Sequence, residues 1–120
     1  MVDEIRSNGG TACANYDSVD NGERIIETAI NVYGRIDVLI NNIGVHEEEP
    51  RFSDMTDHDW DAFMKLRING TYKCTRAAWP YFKAQNYGRI INTSSYAGLY
   101  GRANQIRESG LLQLRTQIFL

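Results

Sequence analysis

The sequence predicts an α/β fold built on a doubly wound parallel sheet, and three observations carry that prediction. Short apolar runs alternate with amphipathic stretches at helical spacing, in the order strand, helix, strand, helix, strand. The run Ile36 to Ile40 has Asp37 as its sole polar residue, the pattern of a strand buried on both faces. Polar clusters fall where the expected strands end: Asp17-Ser18, Asn41 to Gly44, and Thr93 to Ser95. In open parallel sheets, ligands bind outside the carboxyl ends of the strands.

Each element has a local reason. Val2 to Ser7 reads as helical turns stopped by Asn8-Gly9-Gly10, because glycine adopts the left-handed conformation that closes a helix. Thr11 to Tyr16 is a short, mostly apolar run expected to form a buried strand. Asp17-Ser18 then turns the chain into a helix from about Asp20 to Tyr33, with Asp20 and Glu23 placed for a capping box. Ile25, Ile26, Ala29, Ile30 and Tyr33 form its apolar stripe, and Gly34 ends it. Val45 to Asp54 is polar and irregular, a surface loop. Thr56 and Asp59 make a second capping box, with Met55 placed to staple onto Trp60. The long helix that follows carries Trp60, Phe63, Met64, Ile68, Tyr72, Thr75, Ala78, Trp79 and Phe82 on or near one wide face, and Pro80 should kink or weaken its last turn. After Gly88, Arg89 to Ser95 is a strand ending in hydroxyls.

Composition narrows the function classes. The 120 residues are 42% apolar and 23% charged with a net charge of −2, so no basic footprint for nucleic acid is present. No apolar run reaches the roughly 18–20 residues a membrane helix needs. Cys13 and Cys74 lack C-x-x-C spacing, and neither His46 nor His58 belongs to a spaced ligand set. No metal site is expected, and the thiols fit a reducing compartment.

Asn41-Asn42-Ile43-Gly44 after an apolar strand resembles the N-N-A-G motif of the short-chain dehydrogenase/reductase family, and "RIINTSS" is similar to the strand that carries that family's serine. The stretches "GGTACANYDSV", "GRIDVLINNIG", "TRAAWPYFKAQNYGRIINTSS" and "AGLYG" resemble one branch, the dehydrogenase units of peroxisomal multifunctional β-oxidation enzymes. The resemblance runs colinearly from Val2 to Gly101. It implies a partial Rossmann-like sheet, NAD as cofactor, and oxidation of a (3R)-hydroxyacyl-CoA or hydroxysteroid.

Residue by residue, the resemblance implies that Asp17 and the backbone of Ser18 hold the adenine ring. Asn41 and Gly44 would lie near the adenosine, and Ser95 would donate to the reacting oxygen, with Ser94 the second choice. Asn41 also reads as a structural asparagine fastening the sheet. Ile43 stands where the family has a small residue, so its bulk is expected beside the cofactor. Arg67 occupies the place of an asparagine that holds a relay water in many members. In the family the corresponding helix packs against its copy in a dimer, so the resemblance implies a homo- or hetero-dimer through helix 57–85.

Two parts of the family plan are expected to be missing. A Tyr-x-x-x-Lys pair should follow the serine by about 13 residues, yet Glu108 and Leu112 stand there and the chain contains no such pair. Without a neighbouring cation, a phenol of pKa about 10 is a poor base at neutral pH. The first β-α unit with its glycine-rich phosphate turn is expected to be absent too. Residues 1–101 therefore read as the central segment of a dehydrogenase domain and 102–120 as a divergent tail. The expected function is that of an oxidoreductase-family fragment without turnover. The alternative is a non-enzymatic module that pairs with a full-length paralogue. The branch implies peroxisomes, although Gln117 to Leu120 is not a Ser-Lys-Leu type address and otherwise reads as cytoplasmic.

Overall fold

The structure, a computed structural model, describes residues 1–44, 52–94, 100 and 118–119. Its elements run in chain order as helix α1 (Val2–Ser7), a 3-10 turn (Val19–Asn21), helix α2 (Gly22–Tyr33) and strand β1 (Val38–Asn41). A second 3-10 turn (Phe52–Asp54), helix α3 (Asp57–Phe63), a π-helical segment (Met64–Asn69) and helix α4 (Gly70–Ala84) follow. Strands β2 (Arg89–Asn92) and β3 (Ile118–Phe119) complete the described elements.

The sheet is α/β in character, as the sequence implies. Strands β1 and β2 pair in parallel with Leu39 opposite Ile90 and Asn41 opposite Asn92. Strand β3 adds to the other side of β2 in antiparallel, an element the sequence reading left inside the divergent tail. Leu39 and Ile90 point into a core completed by Ile26 of α2, Ile36, and Cys74, Ala78 and Phe82 of α4. Both described long helices thus share one face of the sheet. Gln85, just past α4, donates its side-chain amide to the carbonyls of Ile36 and Tyr87, tying the starts of β1 and β2 together.

Three expectations are corrected. Thr11 to Tyr16 forms no strand: residues 10–18 carry no regular structure, and among the described residues no neighbouring strand offers them a ladder. The segment is held instead by side chains, with Asn15 donating to Thr28 on α2 at 2.8 Å and Arg6 donating to the Ala12 carbonyl at 2.8 and 3.0 Å. Strand β1 is covered on one face only among the described residues, since Ile40 is 60% exposed and Ile91 beside it 45%. The periodicity of a run with one polar residue cannot distinguish one covered face from two.

The capping box at Asp20 and Glu23 is the third. Ser18 caps the 3-10 turn by accepting from the Asp20 amide at 3.4 Å, and α2 begins later, at Gly22, with no side-chain cap from Asn21. The box at Thr56 and Asp59 forms in full, with the Asp59 amide donating to Thr56 Oγ1 at 3.2 Å and the Thr56 amide to Asp59 Oδ2 at 2.9 Å. Helix α1 closes as foreseen: Gly9 has φ +82°, and the Gly10 and Gly9 amides reach back to the carbonyls of Ile5 and Arg6. The expected long helix is interrupted by the π-helical segment, and Pro80 sits inside α4, which continues to Ala84. The wider π turn shifts the register of the apolar face, so Phe63, Cys74, Ala78 and Phe82 are buried while Tyr72 is 58% exposed.

Two close approaches set the helix layer. A β-carbon on Gly22 would stand 2.6 Å from the backbone of Lys73 and Cys74, so α2 crosses α4 backbone to backbone. At Gly70 the approach is by side chains, from Val19 and Ile43.

Candidate functional site at the carboxyl ends of the strands

The carboxyl ends of β1 and β2 coincide, because the register sets Asn41 opposite Asn92. Asn41 is 5% exposed, and its Nδ2 donates to Asn92 Oδ1 at 2.9 Å and to Thr75 Oγ1 of α4 at 3.2 Å. The Asn41 carbonyl accepts from the Thr93 amide at 3.0 Å, carrying the ladder one step past β2. A buried amide in a sheet of apolar side chains costs stability unless its hydrogens are placed, and here each has a partner. Asn41 therefore fastens two strands and a helix at the site's floor, in keeping with its structural reading. Asn92 and Thr75 complete this network; the sequence placed Thr75 only on the wide face of the long helix and gave Asn92 no role. Alignment of the two strands by their terminal asparagines is the signal that could have found them.

Asp17 lies on the neighbouring turn. Its Oδ2 accepts from Asn15 Nδ2 at 3.0 Å, its amide donates to Asn15 Oδ1 at 2.8 Å, and its Oδ1 stands 3.5 Å from Arg24 Nε. The reciprocal pair with Asn15 makes a closed local turn that orients the carboxylate. Ser18 is extended, with φ −63° and ψ 147°, and uses its hydroxyl as a cap.

The turn after Ser18 is clamped to the long helical region by charge. Asp20 is ion-paired with Lys65 at 3.1 Å and Lys73 at 3.2 Å. Hydrogen bonds from Lys65 first, then Lys73, hold its carboxyl below the ordinary aspartate value of 3.8. Arg67, on the π-helical segment, lies with its guanidinium 4.8 Å from the centre of the Phe63 ring. A π segment inserted in a helix is often found at functional sites.

Gly44 is exposed, and an added β-carbon there meets nothing within 4 Å. Its φ lies outside the left-handed region, so neither packing among the described residues nor backbone strain demands glycine. What glycine supplies is unobstructed backbone. Ile43 departs from expectation: its Cδ1 stands 3.3 Å from where a Gly70 β-carbon would be, so its bulk is turned to the helix layer. Ser95 lies outside the described residues, as do residues 101–117 of the tail.

Parallel strands with asparagines at their carboxyl ends, a glycine-opened turn and an aspartate on the adjacent turn are the arrangement of an open α/β sheet, a class that binds its ligands at this end of the strands. The short chain dehydrogenase family model matches residues 1–107. The chain belongs to that family. It is 54% identical over 109 residues to a peroxisomal hydratase-dehydrogenase-epimerase of Neurospora crassa, which covers 91% of this chain and 12% of that protein. Among solved structures it resembles the full-length peroxisomal multifunctional enzyme type 2 of Drosophila melanogaster, with TM-score 0.76 and 40% identity, covering 92% of this chain and 19% of that one. It is also similar to an NAD+-bound xylitol dehydrogenase, with TM-score 0.77 and 26% identity over 86% of this chain and 41% of that one. The chain thus spans well under half the length of each of these relatives.

Proposed function

We propose that this chain carries the adenosine-binding part of an NAD-dependent short-chain dehydrogenase and does not turn over by itself. The observation that carries the reading is the juxtaposition, at the carboxyl end of the parallel pair, of the Asn41–Asn92 floor with the open backbone at Gly44. Asp17 and Ser18 would hold the adenine edge, and Gly44 would let the backbone approach the nucleoside. The nucleotide, when bound, would accept hydride from a secondary alcohol. That alcohol would be carried by a 3-hydroxyacyl-CoA or a hydroxysteroid, with Ser95 orienting its oxygen. The name of the Neurospora relative, a peroxisomal hydratase-dehydrogenase-epimerase, supports a dehydrogenase reaction and a peroxisomal location.

The residues fit the adenosine half better than the reacting half. No tyrosine in the sequence is followed four residues later by lysine, so the chain has no phenol primed by a neighbouring ammonium to take the alcohol proton. Weak NAD binding without turnover is therefore expected. Titration with AMP and NAD, followed by backbone amide NMR, should give saturable shifts at Ser18 and Gly44. Absence of any saturable shift would sink the nucleotide reading. NAD-dependent oxidation of a 3-hydroxyacyl-CoA above background would sink the claim of no turnover.

A second reading has its own observation. The helical region 57–84 exposes Trp60, Tyr72 and Tyr81, and a groove of about 330 Å³ between α2 and α4 sets Glu23 and Glu27 against Arg76 and Tyr81. Aromatic and arginine side chains are the usual anchors of protein interfaces. On this reading the chain docks on a second copy or a full-length paralogue. Light scattering and co-purification test it, and a strictly monomeric chain that retains no paralogue counts against it.

A further inference from the structure

We propose that Ile43 is a positioning residue that latches the turn after β1 to the turn after Ser18, with Gly70 supplying the room for the latch. The proposal rests on the nucleotide reading above, because those two turns are the arms between which the adenosine would sit. Position 43 stands between Asn42 and Gly44, both exposed, yet its own side chain is half-buried and turned inward.

The geometry centres on one point. A β-carbon added to Gly70 would lie 2.7 Å from Val19 Cγ2, 3.0 Å from Val19 Cβ and 3.3 Å from Ile43 Cδ1. Val19 belongs to the 3-10 turn that follows Ser18, and Ile43 to the turn that follows β1. Two side chains from separate turns therefore fill the space that a missing β-carbon leaves on α4. A contact of this kind is short-ranged, since retreat by even 0.5–1 Å forfeits roughly a quarter to a half of the attraction.

Charge acts on the same turn from the outside. Asp20, the residue after Val19, is held by Lys65 and Lys73, so the turn is pinned to the helices at successive positions. The turn bearing Gly44 has no such ionic tie among the described residues. Ile43 is its anchor. The bulk that the sequence alone would place against a nucleotide serves instead to fix the spacing of the two arms.

The test uses two readouts on the whole chain. The Asn21 amide donates to the Ser18 carbonyl at 2.7 Å and reports opening of the latched turn, whereas the Gly34 amide donates to Ile30 at 2.8 Å at the far end of α2. In Ile43→Ala, exchange of the Asn21 amide with solvent should rise about tenfold relative to Gly34, as expected for local opening. Ile43→Leu, which keeps a δ-carbon, should restore the wild-type ratio. Equal acceleration at both amides, or none at Asn21, would overturn the latch. AMP titration of the same proteins separates the two levels of the argument. Wild-type binding weakened about tenfold in Ile43→Ala and restored in Ile43→Leu supports the positioning role. Equal binding by wild type and Ile43→Ala overturns it. Absence of AMP binding by wild type overturns the nucleotide reading alone, and the exchange ratio still decides the latch.

Discussion

Replacing Gly22 with alanine should destabilise the chain by about 2 kcal/mol, although alanine is the better helix former. The added β-carbon would fall 2.6 Å from the Cys74 nitrogen and the Lys73 carbonyl carbon, and 2.8 Å from the Lys73 oxygen. These are backbone atoms of α4, which cannot turn aside as a side chain would. Relief to an ordinary contact of about 3.5 Å requires the two helices to part by roughly 0.9 Å. Ile26, Cys74 and Ala78 pack across that same interface, so parting weakens the core beside it. Overpacking of this kind costs about 1–3 kcal/mol. The helical preference of alanine over glycine offsets at most about 1 kcal/mol, and less at a first-turn position. Urea unfolding followed by fluorescence of Trp60 and Trp79 measures the balance. With a slope of about 1–3 kcal/mol per molar, the midpoint should fall by about 1 M. Gly34→Ala is the informative control: it meets no atom within 4 Å but has φ +75°, so its cost is conformational, about 1–2 kcal/mol. A Gly22→Ala midpoint equal to or above the parent's would refute the backbone-contact argument.

Other expectations concern the site's floor, its ionic clamp and its thiols. Asn41→Ala leaves Asn92 Oδ1 and Thr75 Oγ1 without their donor and should cost about 1–3 kcal/mol in the same unfolding assay. Asn41→Asp should cost more, because its carboxylate would face the Asn92 oxygen at the same buried position. Since the folded-state pKa of Asp20 is lowered, its ion pairs contribute fully above the ordinary value of 3.8 and are lost as pH falls through the folded value. The stability gap between the parent and Asp20→Asn should accordingly hold at neutral pH and close below pH 3.8, as read by acid titration at fixed urea. Burial pushes the Cys74 thiol up, whereas Cys13 is only half-buried. A thiol reagent at pH 8 should therefore label one cysteine rapidly, and mass mapping should find it at Cys13.

The parts legible in the sequence were those fixed by short-range chemistry. The Thr56–Asp59 capping box and the Gly9 helix stop each follow from a few adjacent residues, and each forms, whereas β1 and β2 form because each apolar run finds the other as its partner. Thr11 to Tyr16 did not become a strand because a strand is defined by its neighbour, and a single run carries no record of one. The π-helical segment at Met64–Asn69 escaped for a related reason: one wider turn shifts a hydrophobic stripe without changing which residues are apolar. At the site, the strand-end rule pointed to Asn41 and Gly44, and the structure sets Asn41 against a second strand and leaves the space beside Gly44 open. It gave no access to the direction of Ile43, which is decided by an absent β-carbon on a helix 27 positions later. Glycines inside predicted helices, such as Gly22 and Gly70, were the available clue, since an interior glycine that costs helix stability usually has a packing reason.

Among the described residues one face of the sheet stays uncovered, and that has a consequence for how this surface behaves in concentrated solution. Strand β1 ends the described ladder, and Val38, Ile40 and Ile91 form an exposed apolar strip beside its free hydrogen-bonding edge. Such an edge is a template for growth by further strands. One charge interrupts the strip: Arg89 lies opposite Val38 in the register and is steadied by Tyr87, whose hydroxyl accepts from its Nε at 3.2 Å. Arg89 thereby acts as a gatekeeper, placing an ion where a stacking partner would need a dry surface. Among the described residues, the charge that breaks this strip is thus a guanidinium oriented in part by the tyrosine two residues before it.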